Sequence, residues 1–356
     1  MINFTPGPSQ LYFTVTDHIK AACRENIPSL SHRSKAFEAI YEQAETGLRT
    51  LLNIPEHFTM VFAASATEIW ERSIQNLVLS HSTHLINGAF SRRYWEIAKQ
   101  LNKNAIALEV PEGTSHTQYV TDPRAELIAI THNETSTGVS QTTDFIHQLR
   151  LNNPSALVAI DAVSSLPYPS FDYNDIDCIF FSVQKGFGLP AGLGVWLVND
   201  RCISKAEKLL ASGETIGSYH TLPQLVQFAR KKQTPETPNV LGIYLLAKVI
   251  EDFNRRGINN IRRETEYKAA TLYQALDQHP MINAFVKQTD HRSRTVIVAE
   301  TGNHTLRLAA WLNERGLAPG DGYGIARTSQ LRFANFPAHS KEQYEALADA
   351  LKEFNG

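Results

Sequence analysis

The sequence predicts an α/β protein: a large domain built on a mostly parallel sheet flanked by helices, plus a smaller α/β domain at the C-terminus. Three observations carry that expectation. The chain has 356 residues, more than one hydrophobic core commonly absorbs. Between about residues 59 and 200, short β-rich runs alternate with helical apolar stripes, the pattern of βαβ units around a parallel sheet. A proline-rich joint, Thr234-Pro235-Glu236-Thr237-Pro238, then separates this region from a long helical stretch and a second, shorter set of strands and helices.

Residues 60–63 read as the first strand of the alternation. A helix over 67–79 follows, with its stripe at Ile69, Ile74, Leu77 and Val78, and then a strand over 84–86. The order continues with a helix near 92–101, strands at 105–110 and 126–131, a helix at 143–151 and a strand at 157–161. Two apolar runs, 178–183 and 193–198, flank a Gly/Pro segment and read as adjoining strands. Residues 240 to about 276 read as helix with a break at Gly257. Strands near 284–286 and 295–299 and helices near 304–315 and 341–354 complete the chain. The expected division is a large domain over 15–240, a connecting helix over 240–257, and a small domain formed by 258–356 with the N-terminal strand in 1–14.

The charge balance is 34 Lys+Arg against 36 Asp+Glu, so no sequence-wide positive field exists to attract nucleic acid or anionic membrane. The longest apolar runs, such as Cys178-Ile179-Phe180-Phe181, reach only strand length, and the first residues lack the basic and apolar regions of a signal peptide. The cytoplasm is the expected compartment. Three cysteines, Cys23, Cys178 and Cys202, are an odd number at wide spacing and suit reduced thiols better than a disulfide framework or zinc site. Among thirteen histidines there is no H-E-x-x-H, and His81 with His84 reads as an exposed polar pair, so no metal is expected. A nicotinamide fingerprint and a P-loop are both missing.

Ligands of open parallel sheets gather at the carboxyl ends of the strands. Four polar segments directly follow apolar runs here: Ser65-Ala66-Thr67, His132 to Gly138, Asp161, and Gln184-Lys185. A lysine that ends a buried strand and faces the apolar Gly186 to Gly192 loses hydration, which lowers its pKa and exposes a nucleophilic amine suited to Schiff-base chemistry; its plain alternative is an end-of-strand Lys reaching solvent. Asp161, in the same sheet, could hold a pyridinium nitrogen, or simply cap the turn before Ala162. The Ser65 to Glu68 turn fits a phosphate-binding helix start and equally a capping box. Phe90 could stack on a planar ring or pack in the core. Ser182-Val183-Gln184-Lys185 also matches the S-x-x-K motif of serine acylases, with Ser182 as nucleophile, but Gly186, Gly188 and Pro190 forbid the helix which that chemistry uses.

In order along the chain, Asn3-Phe4-Thr5-Pro6-Gly7-Pro8, Ser31-His32-Arg33-Ser34-Lys35-Ala36-Phe37, Asn133-Glu134-Thr135 with Gly138, Ala159-Ile160-Asp161, Gln184-Lys185 with Pro190-Ala191-Gly192, and Leu331-Arg332 resemble the class V, fold type I, pyridoxal-phosphate aminotransferases. Within that group the phosphoserine aminotransferases are nearest, and the alanine–glyoxylate enzymes share much of the pattern. The resemblance implies an aspartate-aminotransferase-like fold, pyridoxal 5'-phosphate as cofactor, amino acids and 2-oxo acids as small-molecule substrates in a ping-pong transamination, and a homodimer with shared active sites. It implies that Lys185 carries the Schiff-base link and moves the Cα proton, that Asp161 holds the pyridine nitrogen, that Thr135 lies on the ring-hydroxyl side and that Phe90 stacks on the ring. Ser65, Ala66, Thr67 and Gln184 would surround the cofactor phosphate, and Thr234 would reach it from the other subunit. Arg332 would clamp the substrate α-carboxylate, a task for a planar bidentate donor, with His32, Arg33 and Arg327 as the cations available to a distal anion. A departure bears on the donor: phosphoserine enzymes carry His-Arg where this chain has Ile325-Ala326, with Arg327 one place later. A phosphoserine-type donor in serine biosynthesis is favoured. The alternatives are a small neutral amino acid with glyoxylate or pyruvate, and a cofactor-binding protein without turnover, against which the presence of both Lys185 and Arg332 argues.

Overall fold

The computed structural model describes residues 1–119 and 121–356. A short strand, β1 (Ile2–Asn3), precedes helices α1 (Val15–Arg24) and α2 (Lys35–Leu52). Alternation follows: β2 (Phe58–Ala63), α3 (Ala66–Leu77), β3 (His81–Ile86), α4 (Ala89–Gln100), β4 (Asn104–Glu109), β5 (Leu127–Thr131), a small ribbon of β6 (Asn133–Glu134) and β7 (Val139–Ser140), α5 (Thr143–Asn152), β8 (Leu157–Asp161), β9 (Cys178–Ser182), β10 (Gly194–Asn199), α6 (Asp200–Ala211) and α7 (Leu222–Ala229). Two long helices, α8 (Val240–Arg256) and α9 (Ile258–Gln278), lead into β11 (Asn283–Ala284), β12 (Val296–Glu300), α10 (Thr305–Glu314), β13 (Leu317–Ala318), β14 (Gly320–Asp321), β15 (Gln330–Ala334) and α11 (Lys341–Glu353).

The main sheet has the order β2-β10-β9-β8-β5-β3-β4. Strands β9, β8, β5, β3 and β4 are parallel, and β10 runs antiparallel to both β9 and β2. The expected mostly parallel sheet is therefore present. Strands β5, β8, β9 and β10 are buried at every residue, which is why they read as continuous apolar runs and not as alternating ones. Helices α3 and α5 start where a hydroxyl takes a free N–H: Ser65 Oγ accepts from Glu68, and Thr142 Oγ1 from Phe145.

A second sheet, β11-β12-β15-β14, is antiparallel throughout. With α9, α10 and α11 it encloses a separate core that includes Phe4, Leu272, Ile297, Phe333 and Leu347. Phe4 belongs to this core because β1 pairs in parallel with β13, setting Ile2 opposite Leu317.

Several elements differ from the sequence expectation. The structure adds α1 and α2 before the alternation, and α6 and α7 after it. Helix α6 begins directly where β10 ends, because Asn199 is both the last strand residue and the N-cap that accepts from Arg201 and Cys202, so no turn residues mark the boundary. Helix α8 packs into the larger core through Val240, Ile243, Leu246, Ile250 and Phe253. Gly257, at φ 82°, separates α8 from α9 where the break is expected. His84 is not an exposed polar residue. It sits inside β3, its Nε2 3.0 Å from Ser82 Oγ, and burial drives its pKa down to about 3.

The register of β8 against β9 is held from the end remote from the strand tips. Asp177, 1% exposed, precedes β9 and accepts from Val158 N at 2.8 Å and Asn199 Nδ2 at 2.9 Å. It also pairs with Arg150 and, at 3.0 Å, with Arg201. Asp177→Ala strips a buried arginine of its counter-charge and should cost about 3–5 kcal/mol. Denaturant unfolding followed by far-UV circular dichroism should show the midpoint of the main transition falling accordingly; an unchanged midpoint would remove this network from the account of how the strands are held.

Candidate active site

The polar residues that end the parallel strands converge at one edge of the main sheet. Asp161 closes β8, level with Thr131 of β5 and Phe180 of β9. Three residues beyond β9 stands Lys185, 8% exposed, with its carbonyl accepting from Gly188 N–H at 2.9 Å. The N-terminal segment folds over it: Ser9 N–H donates to Gln184 O at 3.0 Å, and a Cβ added to Gly7 would stand 2.3 Å from Lys185 Cε. Only glycine lets the backbone pass so close to that side chain.

Burial sets the electrostatics of the pair. Desolvation, followed by the charge of Arg332, brings the Lys185 amine down to about 8 against the opposing pull of Asp161 and Glu134. Desolvation likewise lifts the Asp161 carboxyl to about 7, although it accepts from Val163 N–H and from the Trp70 indole N–H, both at 2.9 Å. Asp161 is thus a buried carboxyl that a cationic ring N–H would stabilise as the anion. This fits a pyridinium group.

Phe90, in the first turn of α4, lies 5.7 Å from the Lys185 ammonium, measured to its ring centre. Its position is set by Glu134, a fully buried carboxylate that accepts from Phe90 and Ser91 N–H at the start of α4 and from the Ser136 hydroxyl at 2.7 Å. A carboxylate at a helix N-terminus is favourable there. Thr135 Oγ1 donates to Ser164 Oγ at 2.7 Å, and Arg332 Nη1 donates to Thr135 O at 3.2 Å. Arg332 lies on β15, with Nε on Asp321 O at 2.6 Å and its guanidinium 5.5 Å from the Tyr323 ring centre. The Tyr323 ring in turn lies 5.0 Å from that of Phe90. Lys185, Phe90, Tyr323, Arg332 and Thr135 therefore form one connected set of contacts.

The Ser65-Ala66-Thr67 turn opens α3 beside the same edge. Ala66 N–H donates to Ser182 Oγ at 2.9 Å, and Thr67 is exposed at the helix start. The capping box expected between Ser65 and Glu68 is half present: Ser65 Oγ accepts from Glu68 N–H, but the Glu68 carboxylate takes the Ala64 N–H at 2.9 Å. The serine-acylase alternative fails on this geometry. Ser182 is a buried strand residue whose hydroxyl accepts from Ala66, with Lys185 beyond the strand end and not one helical turn away.

The remaining sequence-selected residues are not drawn into that set. Arg33 lies over the Phe228 ring at 4.6 Å and donates to Gln233 Oε1, Thr234 O and Pro235 O. Thr234 is buried, its hydroxyl on Glu236 O at 2.7 Å. His32 is half-buried, and burial together with the Arg33 charge lowers its pKa. Arg327 is largely exposed, 3.9 Å from Asp321. The sequence reading assigned no role to Trp70, Glu134 or Tyr323. A signal existed only for Trp70, since a buried indole N–H needs an acceptor.

The family description for class V aminotransferases matches residues 1–334. Over its whole length the chain is similar to a phosphoserine aminotransferase from Cytophaga hutchinsonii, with 47% identity, coverage of 100% of this chain and 99% of that one, and a TM-score of 0.98. A phosphoserine aminotransferase from Nocardioides is 28% identical, covering 98% of this chain and 94% of that protein. An alanine–glyoxylate aminotransferase from Nostoc shares the fold, with a TM-score of 0.79 at 21% identity over 98% of this chain and 94% of that one. Match and geometry agree, and the chain belongs to the class V aminotransferases, enzymes that work with pyridoxal phosphate.

Proposed function

We propose that this aminotransferase moves the amino group of phosphoserine, or of a closely similar anionic amino acid, to and from a 2-oxo acid, the transamination of serine biosynthesis. The observation that carries the reaction is the buried Lys185 amine set beside the buried Asp161 carboxyl, with Arg332 in the same cleft. The observation that favours the donor is the 47% identity, over the full chain, to an enzyme named for phosphoserine.

Pyridoxal phosphate supplies an aldehyde that condenses with amines and a ring that accepts electrons from the substrate Cα–H bond. Lys185, whose pKa near 8 gives it a share of neutral amine close to physiological pH, would carry the cofactor link and move the proton to and from the substrate Cα. Asp161 would hold a proton on the ring nitrogen, and the Trp70 N–H fixes the orientation of its carboxylate. Thr135, bonded to Ser164, would meet the ring-hydroxyl side, and Phe90, near Lys185, would cover one ring face. Ser65, Ala66, Thr67 and Gln184 would hold the phosphate at the start of α3, where free N–H groups and the helix dipole favour an anion. With Nε and one Nη1 hydrogen engaged, Arg332 keeps its outer edge for the substrate carboxylate.

The active form we propose is a cytoplasmic homodimer with shared sites, in which Thr234 would exchange its hydroxyl's bond to Glu236 O for the partner's phosphate. Cytoplasm suits three unpaired thiols. A second copy would cover the apolar residues left open around the cleft: Leu11 and Phe13, which flank a Tyr12 whose N–H meets Gly188 O, and Ile325, which is fully exposed beside Tyr323. His32, Arg33 and Arg327 then supply the charge for the donor's distal anion. A second reading, a small neutral donor with glyoxylate or pyruvate, is favoured by one observation: within its own chain Arg327 points to solvent and Ile325-Ala326 carries no charge.

Lys185→Ala should abolish turnover, and borohydride reduction of the wild-type holoenzyme should leave the cofactor mass on the peptide that contains Lys185; a tag on another lysine ends the assignment. For Asp161→Asn, single-turnover loss of the Cα–H should slow by about 10² or more, the usual scale for deleting one preorganised electrostatic group, and wild-type rates would take Asp161 out of the mechanism. The donor is decided by the specificity constants for phosphoserine and serine. The phosphoserine reading expects a ratio far above one, with Arg33→Ala costing about 2–5 kcal/mol for phosphoserine while sparing serine; a ratio near or below one selects the neutral-donor reading.

A further inference from the structure

Close to the start of α3 lies a partly buried charge cluster to which the mechanism above gives no part. His220, with a side chain only 6% exposed, stands between two carboxylates. Its Nδ1 hydrogen-bonds Glu68 Oε1, and its Nε2 lies 3.2 Å from Glu236 Oε2 as an ion pair off the hydrogen-bond axis. An ionised carboxylate only accepts, so a ring with a carboxylate at each nitrogen is protonated at both. Burial by itself would discharge this ring, yet Glu236 and Glu68 together raise its pKa to about 9.

Glu68 holds a sensitive place. It is the third residue of α3, its Oε2 takes the Ala64 N–H at 2.9 Å, and Arg72 Nε lies 3.5 Å from its Oε1. A carboxylate here steadies the helix end but opposes a second anion bound to the same N–H groups. Two carboxylates, Glu68 and Glu236, meet two cations, His220 and Arg72, so the cluster is neutral. Glu236 is also the residue whose carbonyl takes the Thr234 hydroxyl.

We propose that His220 is a positioning residue for the cofactor phosphate: its charge cancels that of Glu68 at the mouth of α3 and ties the 234–236 segment to that helix. The inference rests on reading the α3 start as the phosphate site. An uncharged residue in place of His220 leaves a net negative cluster beside a dianion. The resulting penalty falls on the phosphate alone, not on the rest of the cofactor.

The test measures dissociation constants of the apo-protein for pyridoxal phosphate and for pyridoxal, which lacks the phosphate, by quenching of tryptophan fluorescence. Wild type should prefer the phosphorylated form strongly; no preference would overturn the α3 reading itself and leave the role of His220 without its basis. His220→Gln should weaken pyridoxal phosphate about 10-fold or more, the scale of one uncompensated charge at partly screened range, with pyridoxal changed less than about 2-fold. Adding Glu68→Gln to that variant should restore most of the loss. Equal losses for both ligands, or no rescue, would make His220 a merely structural residue and sink the proposal. If His220→Gln does not fold, Glu68→Gln alone decides: it leaves His220 as excess positive charge, so phosphate preference should hold or rise, and a fall contradicts the account.

Discussion

Two ionisable groups, Lys185 and Asp161, are buried at the tips of neighbouring strands, and the rest of the site depends on the cost of that burial. Removing an ammonium and a carboxylate from water brings the first down to about 8 and lifts the second to about 7. Both are held near neutrality, where a proton can be gained or lost at small cost. The sheet makes the arrangement possible because β8 and β9 are parallel neighbours whose carboxyl ends leave the sheet on the same side. What closes over them, the Gly7 segment, the Phe90 ring and the Tyr323–Arg332 contact, keeps water away from those groups.

Charge within the cleft is arranged in layers. Glu134 is spent on the start of α4 and so places Phe90. Asp161 is oriented by Trp70, which leaves its charge free for a ring cation. Arg332 gives one face to Tyr323 and two hydrogens to backbone carbonyls, which leaves the rest for the proposed substrate carboxylate. The groups proposed for the donor's far end are ones that the single chain does not aim at Lys185: Arg33 is on the 233–235 segment and Arg327 faces Asp321. This agrees with the proposal that the site is completed across a dimer.

The central strands were legible because each is buried on both faces, so a short apolar run followed by one polar residue marks both the strand and its tip. Lys185 and Asp161 stood out for that reason. Helix α6 did not, since Asn199 serves at once as strand end and cap. The partner of Glu68 at the α3 start was misjudged by one residue, because side-chain reach decides between the Ala64 and Ser65 N–H groups and spacing does not. Residues whose task is set by contacts two hundred positions away, such as Arg33 with Thr234, leave no local trace. Arg332 was found by resemblance alone. Tyr323 and His220 carry no motif, and only the packed chain shows the ring beside Arg332 or the imidazole between two carboxylates.

The central claim is that burial brings the deprotonation of the Lys185 amine down close to physiological pH. It is tested most directly by the rate at which the apo-protein's Lys185 is captured by a small neutral aldehyde and trapped with cyanoborohydride, followed by peptide mapping from pH 6 to 11. Because the folded pKa is lowered, the rate should rise with pH and level off with a midpoint near 8. A midpoint at or above the ordinary lysine value of about 10.4 would contradict the account.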